Sequence, residues 1–404
     1  MQKSRPAEFI ALVAMLTALV AMSIDTMLPA VGHMATELGA THPNDRQLII
    51  LGFFAGQMLG IPVFGPWSDS IGRKPAIFIG LTLFAAGALV CMLSMSFDVL
   101  VAGRIIQGMG ASAPRIVSMA MVRDGAKGAA MARIMSFVMS VFMLVPIFAP
   151  LIGQQVLLVA GWRAIFAGFV VAAIIVGLWL YVRQEETLTQ DRRLPFSLGK
   201  LWSSAGEVVR NPIAIGYTVA VGFVFGIFVA YLGVCQQIFA EQYQQGDKFP
   251  YWFGTFAIFL AIAMIGNGRL VGKYGMRALS KWAMFVYVGV WIAIMLASLL
   301  TDGNPSLFIL APLFAIWFFS AGFTFGNFNA ISMEPMGHIA GMAAAVTGFI
   351  SQAMAIVLGG IAGRFYDGKL TTLTLFFAGY AICALACVEW AEAGRRRLVK
   401  KTGL

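Results

Sequence analysis

The sequence is dominated by apolar runs, each long enough to cross a lipid bilayer. A transmembrane helix needs about 20 mostly apolar residues, and such runs recur along all 404 residues. Of the chain, 60% is hydrophobic and 11% charged, whereas soluble proteins have roughly 45–50% and 25%. We therefore predict an all-α membrane protein with twelve spans. Their predicted positions are 8–31, 47–66, 75–96, 99–122, 131–156, 161–182, 213–239, 250–271, 280–300, 305–330, 340–363 and 371–393.

Lysine and arginine are distributed unevenly between alternate loops. One side, which we call the basic face, carries both termini and about four times as many of these residues as the other side. The other side has only Arg46, Arg163, Lys248, Arg364 and Lys369. Basic residues collect in cytoplasmic loops, so we expect both termini in the cytoplasm. Membrane topology accounts for the net charge of +10, and no nucleic-acid partner is expected.

The longest hydrophilic gap divides the chain into two halves with six spans each. We predict an N-terminal half at 1–183, a cytoplasmic linker at 184–211 and a C-terminal half at 212–404. The linker composition suggests an amphipathic helix at the membrane surface. The segments 65–74 and 268–277 follow the second span of each half, and both have glycine at their first and eighth positions. This match fits a six-plus-six internal repeat.

One acidic residue, Asp25, lies deep inside the first span. It follows Glu8 by 17 residues, or roughly 25 Å of helix. A carboxylate at that depth is costly unless it faces water or a partner, so it is a functional candidate by default. Pro29 cannot donate a hydrogen bond to the Asp25 carbonyl, so we predict a helix break here. The alternative is that Asp25 lies at the outer interface and only caps local structure.

The fourth span contains two arginines, Arg104 and Arg115. Eleven residues at about 100° each return almost to the starting angle, so both side chains share one face. Lipid does not accept them, and this face must look inward. Arg104 and Asp25 lie at similar depths, so an ion pair between them is geometrically allowed. The alternatives are structural roles: hydrogen bonds to helix carbonyls for Arg104, and a contact between spans for Arg115.

Two other segments are candidates for conformational gating. In the fifth span, Pro146, Pro150 and Gly153 predict a bent helix that packs closely against a neighbour. After the second span a tight turn is expected, in which a glycine permits an unusual backbone angle and the charged residues pair and fix topology. The turn residues concerned are Gly65, Asp69, Gly72 and Arg73.

Methionine, aromatic and amide side chains in the spans are candidates for a substrate cavity. Methionine-rich surfaces re-pack around varied apolar ligands, although polar residues within spans more often join helices. The candidates, besides Arg115, are Met22, Met139, Met143, Tyr231, Gln236 and Asn327.

The sequence contains no pattern that indicates an enzyme. There is no phosphate-binding P-loop, which argues against ATP-driven pumping, and no paired carboxylates or nucleophile–base arrangement. The four cysteines lie in apolar runs and the three histidines have no ligand spacing, so neither a disulfide nor a metal site is expected. We expect no cofactor.

Several motifs resemble those of the major facilitator superfamily, and more closely its twelve-span drug:proton antiporters of the bicyclomycin/chloramphenicol resistance type. Residues 65–74 match the family's loop signature G-x-x-x-D-x-x-G-R-[KR], and 101–112 resembles its fourth-span motif. Residues 23–29 resemble the first-span motif of this subgroup. Residues 149–154 resemble the fifth-span antiporter motif G-P-x-x-G-G, from which Ala149 and Gln154 depart.

The resemblance implies a proton-driven exporter of the bacterial inner membrane, with two six-helix halves around a central cavity. Asp25 and Arg104 would couple protons to transport, and Arg115 would lie in the cavity. The expected partners are a drug-like small molecule, protons and the lipid bilayer, and we expect a monomer. Two alternatives remain open: a proton-coupled transporter of an amino acid, sugar or siderophore, and a non-transporting membrane sensor.

Overall fold

The structure, a computed structural model, describes residues 6–126, 128–195 and 198–402. Nearly all of these residues are helical, and no β-strand occurs among them. This is the expected outcome in a bilayer, where backbone N–H and C=O groups must be satisfied within the protein. The chain forms two compact units, Met1–Leu198 and Gly199–Leu404.

Each unit contains six long helices that match the predicted spans. In the first unit they are Pro6–Asp25, Leu48–Ile71, Arg73–Met92, Phe97–Gly125, Gly128–Ala160 and Trp162–Arg183. In the second unit they are Pro212–Gln237, Phe249–Tyr274, Met276–Leu300, Leu307–Met333, Ala340–Arg364 and Leu370–Thr402. We number these the first to twelfth spans.

Length and hydropathy alone mark ten stretches of the described chain as able to cross a membrane. One of them, Leu307–Arg364, is 58 residues long and contains both the tenth and the eleventh span. The fourth span is not among the ten, and it carries Arg104 and Arg115 in its interior. Adding the fourth span and separating the long stretch gives the twelve helices that the sequence predicts.

Glycines bring the fourth span into backbone contact with its two neighbours. A Cβ at Gly56 of the second span would lie 1.9 Å from the Ile105 carbonyl oxygen. A Cβ at Gly108 would lie 1.9 Å from the Phe53 carbonyl oxygen, and one at Gly87 of the third span 2.3 Å from the Gln107 nitrogen. No larger residue fits at these distances. The fourth span is therefore held in close contact on two sides, as small-residue helix packing in membranes allows.

Aromatic side chains form the core of the second unit. The Tyr231 ring contacts Trp317 at 5.2 Å and Phe318 at 5.6 Å between centroids, both edge-to-face. Trp291 joins this cluster through Trp317 at 4.8 Å and reaches Phe377 of the twelfth span at 4.7 Å. These edge-to-face pairs tie the seventh, ninth, tenth and twelfth spans together.

The described residues of the linker, 184–195 and 198–211, are divided between the two units. Its first part belongs to the first unit, where the Leu194 backbone N–H donates to the Asp69 carbonyl oxygen at 2.9 Å. Its second part is the helix Leu198–Arg210. Val208 of this helix is fully buried against Ala214 and Met336. The predicted amphipathic helix is thus present; part of its apolar face packs on protein, whereas Trp202 and Val209 on that face are exposed.

The repeat between the halves extends to backbone geometry. Gly72 precedes the third span with φ +109°, and Gly275 precedes the ninth with φ +79°. Such positive φ values favour glycine. An arginine within two residues of each glycine bridges two carboxylates: Arg73 pairs with Asp69 and Asp124, and Arg277 with Glu334 and Glu392.

Candidate functional site

The first span breaks at Asp25, as the proline predicts. Its α-helix ends there, and a 3-10 turn, Leu28–Ala30, leads into a short α-helix, Val31–Glu37. Asp25 is 8% exposed, and its carboxylate forms no ion pair within the ranges that the structure describes. An acidic side chain is therefore held almost out of solvent, at the point where the helix backbone is interrupted.

Gly153 of the fifth span packs against this break. A Cβ at Gly153 would lie 1.7 Å from the Thr26 carbonyl oxygen. The approach continues toward the basic face through Ala18, Ala21 and Ala149, which share a small-residue core. The fifth span is thus in backbone contact with the residue that follows Asp25.

Arg104 is fully buried and is bound by main-chain oxygens. Its Nε donates to the Ile49 carbonyl at 3.1 Å, and its Nη1 donates to the Ser23 carbonyl at 3.2 Å. The same Nη1 donates to Gln107 Oε1 at 2.6 Å. The guanidinium also lies 4.4 Å from the centroid of the Phe53 ring, a cation–π distance. Arg104 therefore joins the first, second and fourth spans.

Asp25 and Arg104 do not form an ion pair in this structure. On the first span, the Arg104 guanidinium contacts the carbonyl of Ser23, two residues before Asp25, instead of the Asp25 carboxylate. Sequence depth alone does not distinguish a carboxylate from a nearby carbonyl as the acceptor. Within the described part of the chain, the Arg104 guanidinium thus has no carboxylate partner, and its contact with the first span is the Ser23 carbonyl.

Three buried polar atoms near this point have no hydrogen-bond partner in the structure. They are Arg104 Nη2, Gln107 Nε2 and Thr26 Oγ1. Unsatisfied buried polar groups cost free energy and in proteins usually bind ordered water or a ligand group. Two of these atoms are on the fourth span and one follows the break of the first span, and all three retain spare hydrogen-bonding capacity.

Arg115 differs from Arg104 because its side chain is exposed. Its Nη1 donates to Gln57 Oε1 of the second span at 3.1 Å. Both arginines thus contact the second span, as their shared helix face predicts. Arg115 lies ten residues before the end of its helix at Gly125, or roughly 15 Å. Exposure at that depth requires water rather than lipid around the charge.

The structure places the remaining cavity candidates in three kinds of surroundings. Met22, Met139, Met143 and Gln236 are half-buried. Tyr231 is fully buried in the aromatic core, so in this structure it faces no open space. Asn327 exchanges hydrogen bonds with Asn267, at 3.0 and 2.8 Å, and joins the eighth and tenth spans. Asn327 thus follows the common role of polar residues in spans.

The turn after the second span forms an ion network around Arg73. Arg73 Nη1 contacts Asp69 Oδ1 at 2.5 Å and Ser68 Oγ at 2.8 Å. Its Nε contacts Asp124 Oδ2, at the end of the fourth span, at 2.8 Å. Arg73 is 7% exposed, so both carboxylates bind a largely desolvated cation.

Glu186 of the linker is a member of this network that the sequence did not reveal. Its two carboxylate oxygens accept the backbone N–H groups of Arg73 and Lys74, each at 3.0 Å. Glu186 therefore caps the N-terminus of the third span, where a negative charge is favoured. A Cβ at Gly72 would lie 2.7 Å from Glu186 Oε2. No signal in the sequence separated Glu186 from Glu185 beside it.

The other gating candidates are less constrained. A Cβ at Gly65 would meet nothing within 4 Å, although the Gly65 carbonyl accepts Ser68 Oγ at 2.8 Å. The fifth span runs as one helix across Pro146 and Pro150, and Pro150 is buried.

The fold defines a polytopic helical membrane protein with two six-span units and internal charges on the first and fourth spans. Residues 13–360 match the family model described as Major Facilitator Superfamily. The chain belongs to this superfamily.

Two relatives and one solved structure illustrate the similarity. The bicyclomycin resistance protein homolog of Haemophilus influenzae is 26% identical over 87% of this chain and 88% of that protein. The chloramphenicol resistance protein of Pseudomonas aeruginosa is 27% identical over 81% of this chain and 77% of that protein. The D-xylose-proton symporter structure has a TM-score of 0.73 and 15% identity, and covers 95% of this chain and 97% of that one. This last likeness concerns the fold alone.

Proposed function

We propose that this chain is a proton-coupled exporter of drug-like molecules that works by alternating access in the bacterial inner membrane, with both termini in the cytoplasm. One observation carries the proposal. A nearly buried carboxylate, Asp25, lies at a backbone break of the first span with no ion-pair partner among the described residues, and the Arg104 cation is bound by the carbonyl of Ser23, two residues earlier on that span. The names of the relatives, which are resistance proteins, support the export of antibiotics.

The proton is the proposed coupling ion because, during the cycle, Asp25 would alternate between two environments that favour different protonation states. Near the fixed charge of Arg104 the ionised form is favoured, whereas away from water the neutral form is favoured. A proton that binds one conformation better than another shifts the balance between them. One proton crossing 100 mV supplies about 2.3 kcal/mol, which corresponds to a gradient of tens-fold in a substrate.

Gly153 connects this event to the movement of helices. The Thr26 backbone follows Asp25 directly and is in contact with the fifth span. A change at the break must therefore displace either the first or the fifth span, because packed helices do not compress. The Arg73 network, at the basic end of the second and fourth spans, is the proposed gate that breaks and reforms during the cycle.

Arg115 is the proposed polar contact for the substrate. It is exposed, lies deep in the span and is hydrogen-bonded to a neutral amide. It can therefore donate hydrogen bonds to a ligand without breaking a salt bridge. Met22, Met139 and Met143 are half-buried and can adapt to apolar ligands of varied shape.

A susceptibility panel tests the proposal. Cells with and without the protein are exposed to chloramphenicol, bicyclomycin and a set of other drugs, with and without a protonophore. We expect a higher tolerated concentration of some drugs and faster efflux of a fluorescent drug, both abolished when the proton gradient collapses. Drug tolerance that survives the protonophore would contradict proton coupling.

The alternative of a metabolite transporter has less support, because the relatives named here are resistance proteins. The same cells loaded with labelled amino acids, sugars or siderophores distinguish the two. Gradient-dependent movement of one of these, with no change in any drug tolerance, would replace the proposed substrate class.

A further inference from the structure

The basic ends of the ninth and twelfth spans enclose a charged pocket that the transport proposal does not use. The pocket has a volume of about 180 Å³. Most of its polar lining is cationic, and its wall includes Tyr217, Arg277, Lys281, Glu392, Arg395 and Arg396.

Positive charge exceeds negative charge at this pocket. Glu392 Oε1 accepts from Arg277 at 3.0 Å, and its Oε2 accepts from Arg395 at 2.9 Å. Lys281 pairs with Glu389 at 2.6 Å. The Arg277 guanidinium also contacts a third carboxylate, that of Glu334, at 2.6 Å.

Arg396 supplies the surplus charge. It is exposed and has no ion pair among the residues that the structure describes. Four basic side chains line the pocket, whereas the carboxylates that contact them belong to three residues. A ligand with one negative charge would therefore neutralise the surplus positive charge of the pocket.

Exposed tryptophans follow both members of the Lys281–Glu389 ion pair along the chain, so they lie at matching depths. Trp282 is 73% exposed and comes six residues after the start of the ninth span at Met276. Trp390 is 56% exposed on the twelfth span, but it lies on the opposite face of that helix from the pocket residues Val388 and Glu392. Six residues correspond to roughly 9 Å of helix. Tryptophan at this level is typical of the membrane–water interface.

The surface beyond the tryptophans is apolar. Phe285 and Val286 are each 45% exposed on the ninth span, and Lys281 Nζ lies 5.8 Å from the centroid of the Phe285 ring. A ligand bound here thus meets cations at one end and lipid-exposed apolar side chains at the other. Free phosphate uses only the first of these features, whereas a phospholipid uses both.

We propose that this pocket binds the headgroup of an anionic phospholipid, with the phosphate at Lys281 and Arg396 and the acyl chains along Trp282 and Phe285. Basic pockets between spans on the cytoplasmic side are a recognised type of site for anionic lipids. The proposal is independent of the transported substrate and of proton coupling.

Tryptophan quenching tests the site with the full-length protein. The protein is reconstituted in phosphatidylcholine with increasing fractions of acyl-brominated phosphatidylglycerol, or of brominated phosphatidylcholine as the neutral probe. We expect brominated phosphatidylglycerol to quench more strongly at equal mole fraction. Trp282→Phe is expected to remove that extra quenching, whereas Trp390→Phe, on the far side of the twelfth span, is expected to retain it.

Charge removal tests the headgroup contact. Lys281→Gln with Arg396→Gln is expected to lower the preference for phosphatidylglycerol about fivefold for each charge removed. The matched control, Arg123→Gln with Arg133→Gln, removes two exposed basic residues of the first unit and should retain the preference. If the double variant unfolds, Arg396→Gln alone serves, because Arg396 forms no ion pair in the described structure.

Three results would overturn the proposal. One is equal quenching by the two brominated lipids in the unchanged protein. Another is an equal loss of preference in the control, which would indicate net charge rather than a pocket. The third combines two observations. Inorganic phosphate reduces the quenching by brominated lipid more than chloride does at the same ionic strength, and the protein shows no preference for phosphatidylglycerol. That result would assign the pocket to free phosphate.

Discussion

Replacing Gly153 with alanine should disturb the protein more than its single added methyl group suggests. The new Cβ would lie 1.7 Å from the Thr26 carbonyl oxygen and 2.7 Å from its carbonyl carbon, whereas ordinary contacts begin at 3.4 Å. Both atoms are backbone, so no side chain can rotate away. The first and fifth spans must separate by roughly 1.5 Å, because protein interiors do not compress.

The separation has a cost that can be bounded. Overpacking a tight contact typically destabilises a protein by about 1–3 kcal/mol, and here it also loosens the core of Ala18, Ala21 and Ala149. We expect a lower midpoint of thermal unfolding in detergent. We also expect reduced proton-driven efflux, since the displaced backbone adjoins Asp25.

Gly168→Ala is the matched control. Gly168 lies inside the sixth span, its φ is not positive, and a Cβ there would meet nothing within 4 Å. Its unfolding free energy should change by less than about 1 kcal/mol, with any gain coming from helix propensity. Equal stability and equal efflux in Gly153→Ala and Gly168→Ala would refute the proposed contact.

Three further predictions concern single contacts. Asn267→Leu and Asn327→Leu should show a coupling free energy of about 0.6–1.7 kcal/mol in a double-mutant cycle of unfolding, and additive effects would contradict their pairing. Glu186→Gln should destabilise the N-terminus of the third span by about 0.5–2 kcal/mol. The measurement is hydrogen exchange at the backbone of Arg73, which should become faster; unchanged exchange would argue against the cap. Arg104→Lys should lower the unfolding midpoint even though the charge remains, because one ammonium cannot reproduce the forked contacts of a guanidinium, whereas an unchanged midpoint would count against those contacts.

Much of the fold could be predicted from the sequence because the bilayer imposes a length and a polarity on each span. The break at Pro29 followed from its missing N–H group, and the shared face of Arg104 and Arg115 followed from helix periodicity. The positive-φ glycines, Gly72 and Gly275, occur where the repeat indicated a turn. These features depend on local chemistry, which the sequence contains.

The contacts between spans could not be predicted in the same way. Whether Arg104 binds the Asp25 carboxylate or the Ser23 carbonyl depends on rotamers and on a difference of two residues, about half a helical turn. Glu186 reaches the third span only because the linker folds back, and no local pattern marks that path. Tyr231 was assigned to a cavity from its position in a span, yet packing buried it among other rings.

The most direct test of proton coupling is efflux by Asp25→Asn in everted membrane vesicles, with Asp98→Asn as the exposed-carboxylate control. For a substrate found in the susceptibility panel, two quantities are measured: its equilibrium binding to the protein, and its accumulation in the vesicles when a proton gradient is imposed. We predict that Asp25→Asn binds the substrate but does not accumulate it, and that Asp98→Asn does both. Full gradient-driven accumulation by Asp25→Asn would show that the proton is carried elsewhere.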